Sequence, residues 1–220
     1  MPVPFKRPVL IGLAAALACT APLVAQQSGQ LPGARDPSRI TGGSYTVDSD
    51  HTMVRWQLDH LGFTPYFGIF GDVTGSLTLD PKNPKAAKVD ITIPVAKVTT
   101  ASQGLTAHLL KAPAKPGDKP DFFGPNPAPA RFVSTSVVPD SDDQGEAKIT
   151  GNLTFNGVTR PVTLDAKFHG AGKLPAEMGG KENVGFEAEA TIRRTDFGLN
   201  FGQGLLSDEV ELDIVAAFVK

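Results

Sequence analysis

The sequence predicts an all-β fold, on three observations. Apolar and polar side chains alternate with period two through most of the chain after residue 44, the pattern of strands with one dry and one wet face. Gly and Pro, at 23 and 19 of 220 residues, interrupt those runs too often for a helical bundle. Only Ala101–Lys111 carries apolar residues at helical spacing. With 40% hydrophobic residues the chain has material for a core, and its length suits one large β domain better than two.

Before that pattern begins, Met1–Ala25 reads as a cleaved export signal. Lys6 and Arg7 form its basic start, Val9–Ala18 its apolar run, and Leu23-Val24-Ala25 the small-residue end after Pro22. The run is shorter than the roughly 20 residues of a membrane span, and the lack of an Arg-Arg pair favours the general secretory route. The mature chain then holds 19 basic and 23 acidic residues, a net charge of −4, with no basic footprint for nucleic acid. Cys19, the only cysteine, departs with the signal, so no disulfide, zinc thiolate or cysteine nucleophile is expected. A rival reading takes Ala16-Leu17-Ala18-Cys19 as a lipoprotein box with Cys19 lipidated. Residues 26–43 lack periodicity and are read as a flexible leader, which leaves 44–220 as the folded domain.

The strands follow in order. Val54, Trp56 and Leu58 share a face, as do Val73, Leu77 and Leu79, then Val89, Ile91 and Ile93. Arg131–Val138 is an extended Ser/Thr/Val run, and Ile149, Leu153 and Phe155 line one side of Ala147–Phe155. Asn156-Gly157 suits a two-residue hairpin turn, since both residues tolerate positive φ. The return strand Val158–His169 places Val162, Leu164 and Phe168 together. Asn183–Arg193 aligns Val184, Phe186, Ala188, Ala190 and Ile192, and Glu209–Lys220 aligns Val210, Leu212, Ile214, Ala216 and Phe218. These make eight strands, or nine with Ser44–Val47. The helix over Ala101–Lys111 takes Thr100 as its N-cap and ends before Pro113. Long half-apolar strands call for a closed barrel or a sandwich. Small inward residues such as Gly75, Gly151, Ala166, Ala188 and Ala216 leave room for an apolar ligand, unless Trp56, Phe155, Phe168 and Phe186 fill it.

Catalytic patterns are sparse. His51, His60, His108 and His169 show no HxxxH or HExxH spacing, so no metal site and no cofactor is expected. Gly170–Lys173 lacks the first glycine of a phosphate loop, and there is no GxSxG elbow. Arg193-Arg194-Thr195-Asp196 is read as a strand end with a local Arg–Asp pair, or else as an anion site. Two apolar Gly-rich segments stand out: Phe63, Tyr66, Phe67 and Phe70 in one, and Phe197, Leu199 and Phe201 in the other. Both are read as loops, ringing a barrel mouth or folded over a filled core.

Several motifs then occur in a matching order: Tyr45-Thr-Val-Asp48, His60-Leu-Gly-Phe63, Gly68-Ile-Phe70-Gly71, His108-Leu109, Asp121-Phe122-Phe123, Gly151-Asn-Leu153-Thr154, Asn156-Gly157-Val158-Thr159, Arg194-Thr-Asp196-Phe197-Gly198 and Ser207-Asp208-Glu209-Val210. From Ser44 to Lys220 the chain resembles the YceI-like family of bacterial polyisoprenoid-binding proteins. The resemblance implies an extended eight-stranded antiparallel lipocalin-like barrel with one short helix near the mouth. It also implies a periplasmic setting and, as ligand, a long isoprenoid lipid such as a prenyl phosphate or an isoprenoid quinone. Two departures fall beside the helix: the family's Arg-Asp pair before His-Leu is replaced by Thr106-Ala107, and Ala112–Lys119 is an extra Pro/Lys-rich segment.

The functional expectation is non-enzymatic carriage or storage of that lipid, with no catalytic residue and with transient contact to the membrane surface. Trp56, Leu58, Phe67, Phe70, Phe155, Phe168, Phe186, Ile192 and Phe218 are expected to touch the tail, with His60, Arg193 or Arg194 near a polar head. Two alternatives stand beside it. One is a stress-protective protein with a filled core, and the other a small-substrate hydrolase or isomerase using His60 beside Asp59.

Overall fold

The computed structural model describes residues 31–143 and 145–220. The expected signal and the Cys19 alternative lie outside them. Twelve strands and one helix follow one another: β1 (Gly33–Ala34), β2 (Gly43–Val47), β3 (Met53–His60), β4 (Thr64–Phe70), β5 (Thr74–Leu79), β6 (Lys88–Ile93), β7 (Val98–Thr99), α1 (Gln103–Leu109), β8 (Ala130–Pro139), β9 (Glu146–Phe155), β10 (Val158–Lys173), β11 (Glu182–Arg193) and β12 (Glu209–Val219).

Eight of these strands close on themselves, in the order β2–β5–β6–β8–β9–β10–β11–β12 and back to β2, each neighbour antiparallel. Closure is possible because β12 pairs with β11 along one edge, and with β2 at Phe218–Val219 on the other. Further along that second edge β12 pairs with β3 through Glu211–Val215, and β4 and β7 continue the wall from there. The barrel therefore has a narrow end near Phe218 and a wider end near Val210, where α1 sits. Closure gives every ring strand a neighbour on both sides, although stretches such as Val158–Leu164 of β10 pair with β9 alone.

The alternation read from the sequence holds in the ring. Leu77, Leu153, Ala166, Ala188, Val210 and Phe218 are all buried. The Asn156-Gly157 turn adopts φ of 49° and 76°, joining Phe155 to Val158 as expected. In β8 the register shifts between Ser134 and Ser136, so an unpaired Thr135 resets the strand and lets both Phe132 and Val137 point inward.

Three expectations differ from what is found. The segment Thr64–Phe70 is a regular strand paired with β3, because Leu58 faces Tyr66 and Trp56 faces Gly68 across the pair. A loop was expected from Pro65 and the glycines, but Pro65 lies beside Asp59 near the strand's start, and Gly68 makes room for a neighbour. The helix is shorter, and its N-cap is Ser102, whose hydroxyl accepts the Leu105 N–H at 3.3 Å. Thr100 instead binds the side chain of Thr106 within the helix, its N–H donating to the Thr106 hydroxyl at 3.0 Å, and its own hydroxyl donates to the Ser102 carbonyl at 2.8 Å.

The third difference concerns the described part of the leader. Gly33 and Ala34 pair with Gly172 and Ala171, and Ile40 is buried with Tyr45, Val184 and Phe218 at the narrow end. The Thr41 N–H and hydroxyl and the Tyr45 hydroxyl all donate to the Glu182 carboxylate at 3.0–3.1 Å. Burial, with Glu182 beside it, pushes the Tyr45 phenol up to about 12. A stretch without periodicity is thus fixed by backbone pairing and one carboxylate, neither of which leaves a trace in hydropathy. Residues 31–220 form one compact unit.

Gly68 supplies a test of the packing. A Cβ there would lie 2.4 Å from the Trp56 ring and 2.7 Å from the Thr99 carbonyl oxygen. Gly68→Ala should lower stability by about 1–3 kcal/mol. Urea denaturation should show a lower midpoint with an unchanged slope, and an unchanged midpoint would contradict the close Trp56 contact.

Candidate ligand-binding site

Period-two alternation in a closed ring sends every second side chain into a shared interior, and here the interior is not filled. Two cavities lie within it, of about 330 Å³ at the wide end and about 220 Å³ towards the narrow end. Four strands, β3, β9, β11 and β12, line both. Along β12, Val210 faces the first cavity, Leu212 faces both, and Ile214, Ala216 and Phe218 face the second. Along β3 the sequence is Leu58 and Trp56, then Val54; along β9 it is Phe155, then Leu153 and Ile149. Eight steps along β12 from Val210 to Phe218, at about 3.3 Å each, make the lined path about 26 Å long. The room comes from small side chains, with Ala147, Ala166, Ala188 and Ala216 all on the walls of the second cavity.

Of the residues expected to touch a lipid tail, Trp56, Leu58, Phe70, Phe155 and Ile192 line the outer cavity, together with His60. Phe168, Phe186 and Phe218 line the inner one and stack edge-on in a row, with ring centroids 5.9 and 6.1 Å apart. Phe67 does not belong to the set. It lies on the outer face of β4, half exposed, under the Arg55 guanidinium at 5.6 Å from the ring centre. Three residues separate Phe67 from Phe70, so in a regular strand the two cannot share a face.

Several lining residues were not in the expected set. Tyr66 alternates with Phe70 on β4. Helix α1 brings His108 to the mouth, the segment after it brings Phe122 and Phe123, and the β11–β12 loop brings Leu199, Phe201, Leu205 and Leu206. The motifs His108-Leu109 and Asp121-Phe122-Phe123 were the available clue. His108 Nε2 lies 2.8 Å from Asp121 Oδ2, and its ring meets Phe122 and Phe201 edge-on at 5.3 and 5.7 Å. The Asp59 carboxylate, by contrast, accepts the Gly62 N–H at 2.6 Å, so it caps the β3–β4 turn. Among the described residues, no serine or threonine lines the outer cavity.

Arg193 and Arg194 have opposite fates. Arg193 is exposed and pairs with Asp208 at 2.8 Å, not with Asp196. Arg194 is only 4% exposed, and its guanidinium donates to four carbonyls: Ser207 at 2.8 Å, Leu199 at 2.6 Å, Phe201 at 2.7 Å and Leu206 at 3.2 Å. It is the post around which the β11–β12 loop is wound. Four of its five N–H donors are spent on the backbone, and Arg194 itself stands in the wall of the outer cavity, whose lining is otherwise mostly apolar. Trp56 Nε1 and the Tyr66 hydroxyl are buried there with no protein hydrogen-bond partner.

Asp208 secures the same loop from outside. Partial burial pushes its carboxyl up, but the Thr195 hydroxyl and N–H and the Arg193 guanidinium outweigh that and bring it down to about 2.

Residues 45–218 match the model of the YceI-like domain. Protein YceI of Shigella flexneri is 42% identical over 173 residues, covering 77% of this chain and 83% of that protein. Among solved structures, BcnA of Burkholderia cenocepacia superposes with a TM-score of 0.62 at 21% identity, covering 78% of this chain and 98% of BcnA. A polyisoprenoid-binding domain from Saccharophagus degradans gives 0.54 at 13% identity, covering 79% and 97%. At those identities the two structures establish the shared fold.

Two outcomes follow from the loop's anchors. Arg194→Met leaves four carbonyls without their donor and should cost about 3 kcal/mol or more, whereas Arg194→Lys recovers only part, since an ammonium has three donors in a different geometry. Chemical denaturation of both variants measures this, and a cost below 1 kcal/mol for Met would refute the clamp. For Asp208 the folded carboxyl titrates below its unfolded value, so its stabilisation is complete above about pH 4 and is lost as pH falls towards 2. Asp208→Asn should flatten that acid-side fall in Tm between pH 5 and 2, and an identical fall would contradict the assignment.

Proposed function

The chain belongs to the YceI-like family, and from that premise we propose that it binds an isoprenoid lipid within the barrel and carries or stores it without chemical change. One observation carries the reading: the interior holds two cavities on the same four strands, lined almost wholly by apolar side chains along about 26 Å. Such a path suits a long flexible hydrocarbon better than a compact substrate. Each buried CH₂ contributes about 0.8 kcal/mol, so a chain of several isoprene units gains ample affinity without any covalent step. The same fold occurs in the polyisoprenoid-binding domain from Saccharophagus degradans.

Polar groups of the lining are concentrated at the wide end, where His60 and the Asp121-oriented His108 stand. A quinone ring or a phosphate head is best accommodated there, with the tail directed towards Phe168, Phe186 and Phe218. The mature protein is proposed to work in the periplasm, delivered by the export signal read in residues 1–25.

Native mass spectrometry of protein purified from its own cells tests this directly. The expected spectrum contains a bound species, and delipidated protein should take up an offered isoprenoid quinone or prenyl phosphate with one-to-one stoichiometry. Leu212→Glu, at the junction of the two cavities, should abolish uptake while leaving the fold intact by circular dichroism. Apo mass only, with no uptake of either lipid, would sink the proposal.

A further inference from the structure

The wide end of the barrel carries a second feature that ligand storage does not require. Leu61, Phe63, Leu105, Phe201 and Leu205 are all substantially exposed, Phe63 by 83%. They come from three separate segments, the β3–β4 turn, α1 and the β11–β12 loop, and all except Phe63 also line the outer cavity. The turn and the loop are tied together, since the Leu61 N–H donates to the Leu205 carbonyl at 2.8 Å and His60 bridges to Leu206. The exposed side chains therefore form one apolar rim around one opening.

The backbone of the β3–β4 turn shows that this apolarity has a cost. Leu61 and Gly62 adopt φ of 61° and 71°, the left-handed region that a leucine enters only with steric strain. At the same end of the barrel the β9–β10 turn meets the same demand with Asn156-Gly157, where Asn tolerates the conformation and stays hydrated. Placing Leu, Gly and Phe on the other turn adds both strain and exposed apolar surface to a position that a polar pair would satisfy.

Charge lies beside the rim. The segment between Leu109 and Phe122, both of which line the mouth, contains Lys111, Lys115 and Lys119, all exposed, against Asp118 and Asp121, for a net charge of +1. Among the described residues the lysines that form ion pairs are Lys97, Lys148 and Lys167, and none of these three is among them. Apolar side chains that insert shallowly, flanked by lysines at headgroup level, are the composition of an interfacial membrane anchor.

We propose that the rim docks onto the surface of an anionic phospholipid bilayer, with Phe63 and its neighbours among the acyl chains and Lys111, Lys115 and Lys119 on the headgroups. Docked in this way, the mouth opens into the lipid, and an apolar ligand enters without crossing water. This goes beyond the binding reading, because the cavity could be loaded from solution with no membrane contact at all.

Co-sedimentation of residues 31–220 with vesicles of equimolar phosphatidylglycerol and phosphatidylcholine tests the docking. The protein should bind these vesicles and release at high salt as the charges are screened. Phe63→Ser should lower the partition coefficient about tenfold. Replacing the three lysines by Gln should lower it by a similar factor on anionic vesicles and hardly at all on pure phosphatidylcholine. Val138→Ser, which removes an exposed apolar side chain from β8, should leave binding unchanged. Equal binding by wild type and Phe63→Ser would overturn the proposal. So would a wild-type dimer that Phe63→Ser converts to monomer with no vesicle binding in either form. Uptake of a short-chain quinone from solution is measured in parallel and should persist in Phe63→Ser. Lost vesicle binding with preserved uptake in every protein bears on docking alone, whereas absent uptake in the wild type bears on the ligand reading.

Discussion

Closure of the β-sheet governs everything else in this molecule. When β11 pairs with both β10 and β12, and β12 reaches β2, eight antiparallel strands become a ring. Strict alternation then divides every strand into an inner and an outer set, with no freedom to choose residue by residue. The inner set is mostly apolar, so the barrel is held by burial of those faces. Its volume is decided by how large they are. Alanines at 147, 166, 188 and 216 leave space that leucines would fill, while Gly68 and Gly151 yield to the rings of Trp56 and Phe132. Stability and an unfilled interior thus arise from one pattern.

A closed ring still needs an opening, and here the two ends are treated differently. At the narrow end Ile40 and Tyr45 pack against Phe218, and Glu182 gathers three hydrogen bonds from Thr41 and Tyr45. The wide end is built from loops, which would collapse or fray without an internal anchor. Arg194 provides it by holding four carbonyls of the β11–β12 loop from within, while Asp208 holds the start of that loop from without. A guanidinium committed largely to backbone carbonyls organises the mouth, and it places one charged group in the wall of the otherwise mostly apolar outer cavity.

Much of this was legible in the sequence, and the parts that were not share a cause. Inner faces of β3, β9, β10, β11 and β12 could be read directly, because side-chain direction in a strand depends only on parity. Phe67 was misplaced since Pro65, Gly68 and Gly71 suggested a loop, and outside a strand parity has no meaning. Gly68 in fact marks a close approach by Trp56, which only the pairing of β3 with β4 makes visible. Arg194 looked like a surface charge, because nothing local distinguishes an arginine that meets carbonyls five to thirteen residues away. Of the mouth residues, His108 sits on the expected helix while Phe122 and Phe201 come from segments without periodicity, so their convergence depends on tertiary structure. Residues 31–41 were missed for the same reason.

The central claim is that the interior receives an isoprenoid chain, and Trp56 offers the most direct probe of it. It is the only tryptophan in the sequence, it is 8% exposed, and it lines the outer cavity. Fluorescence from Trp56 should be quenched saturably as a short-chain isoprenoid quinone is titrated into delipidated protein, with an end point of one quinone per barrel. Non-saturating quenching that matches the response of free tryptophan would contradict a ligand in the barrel.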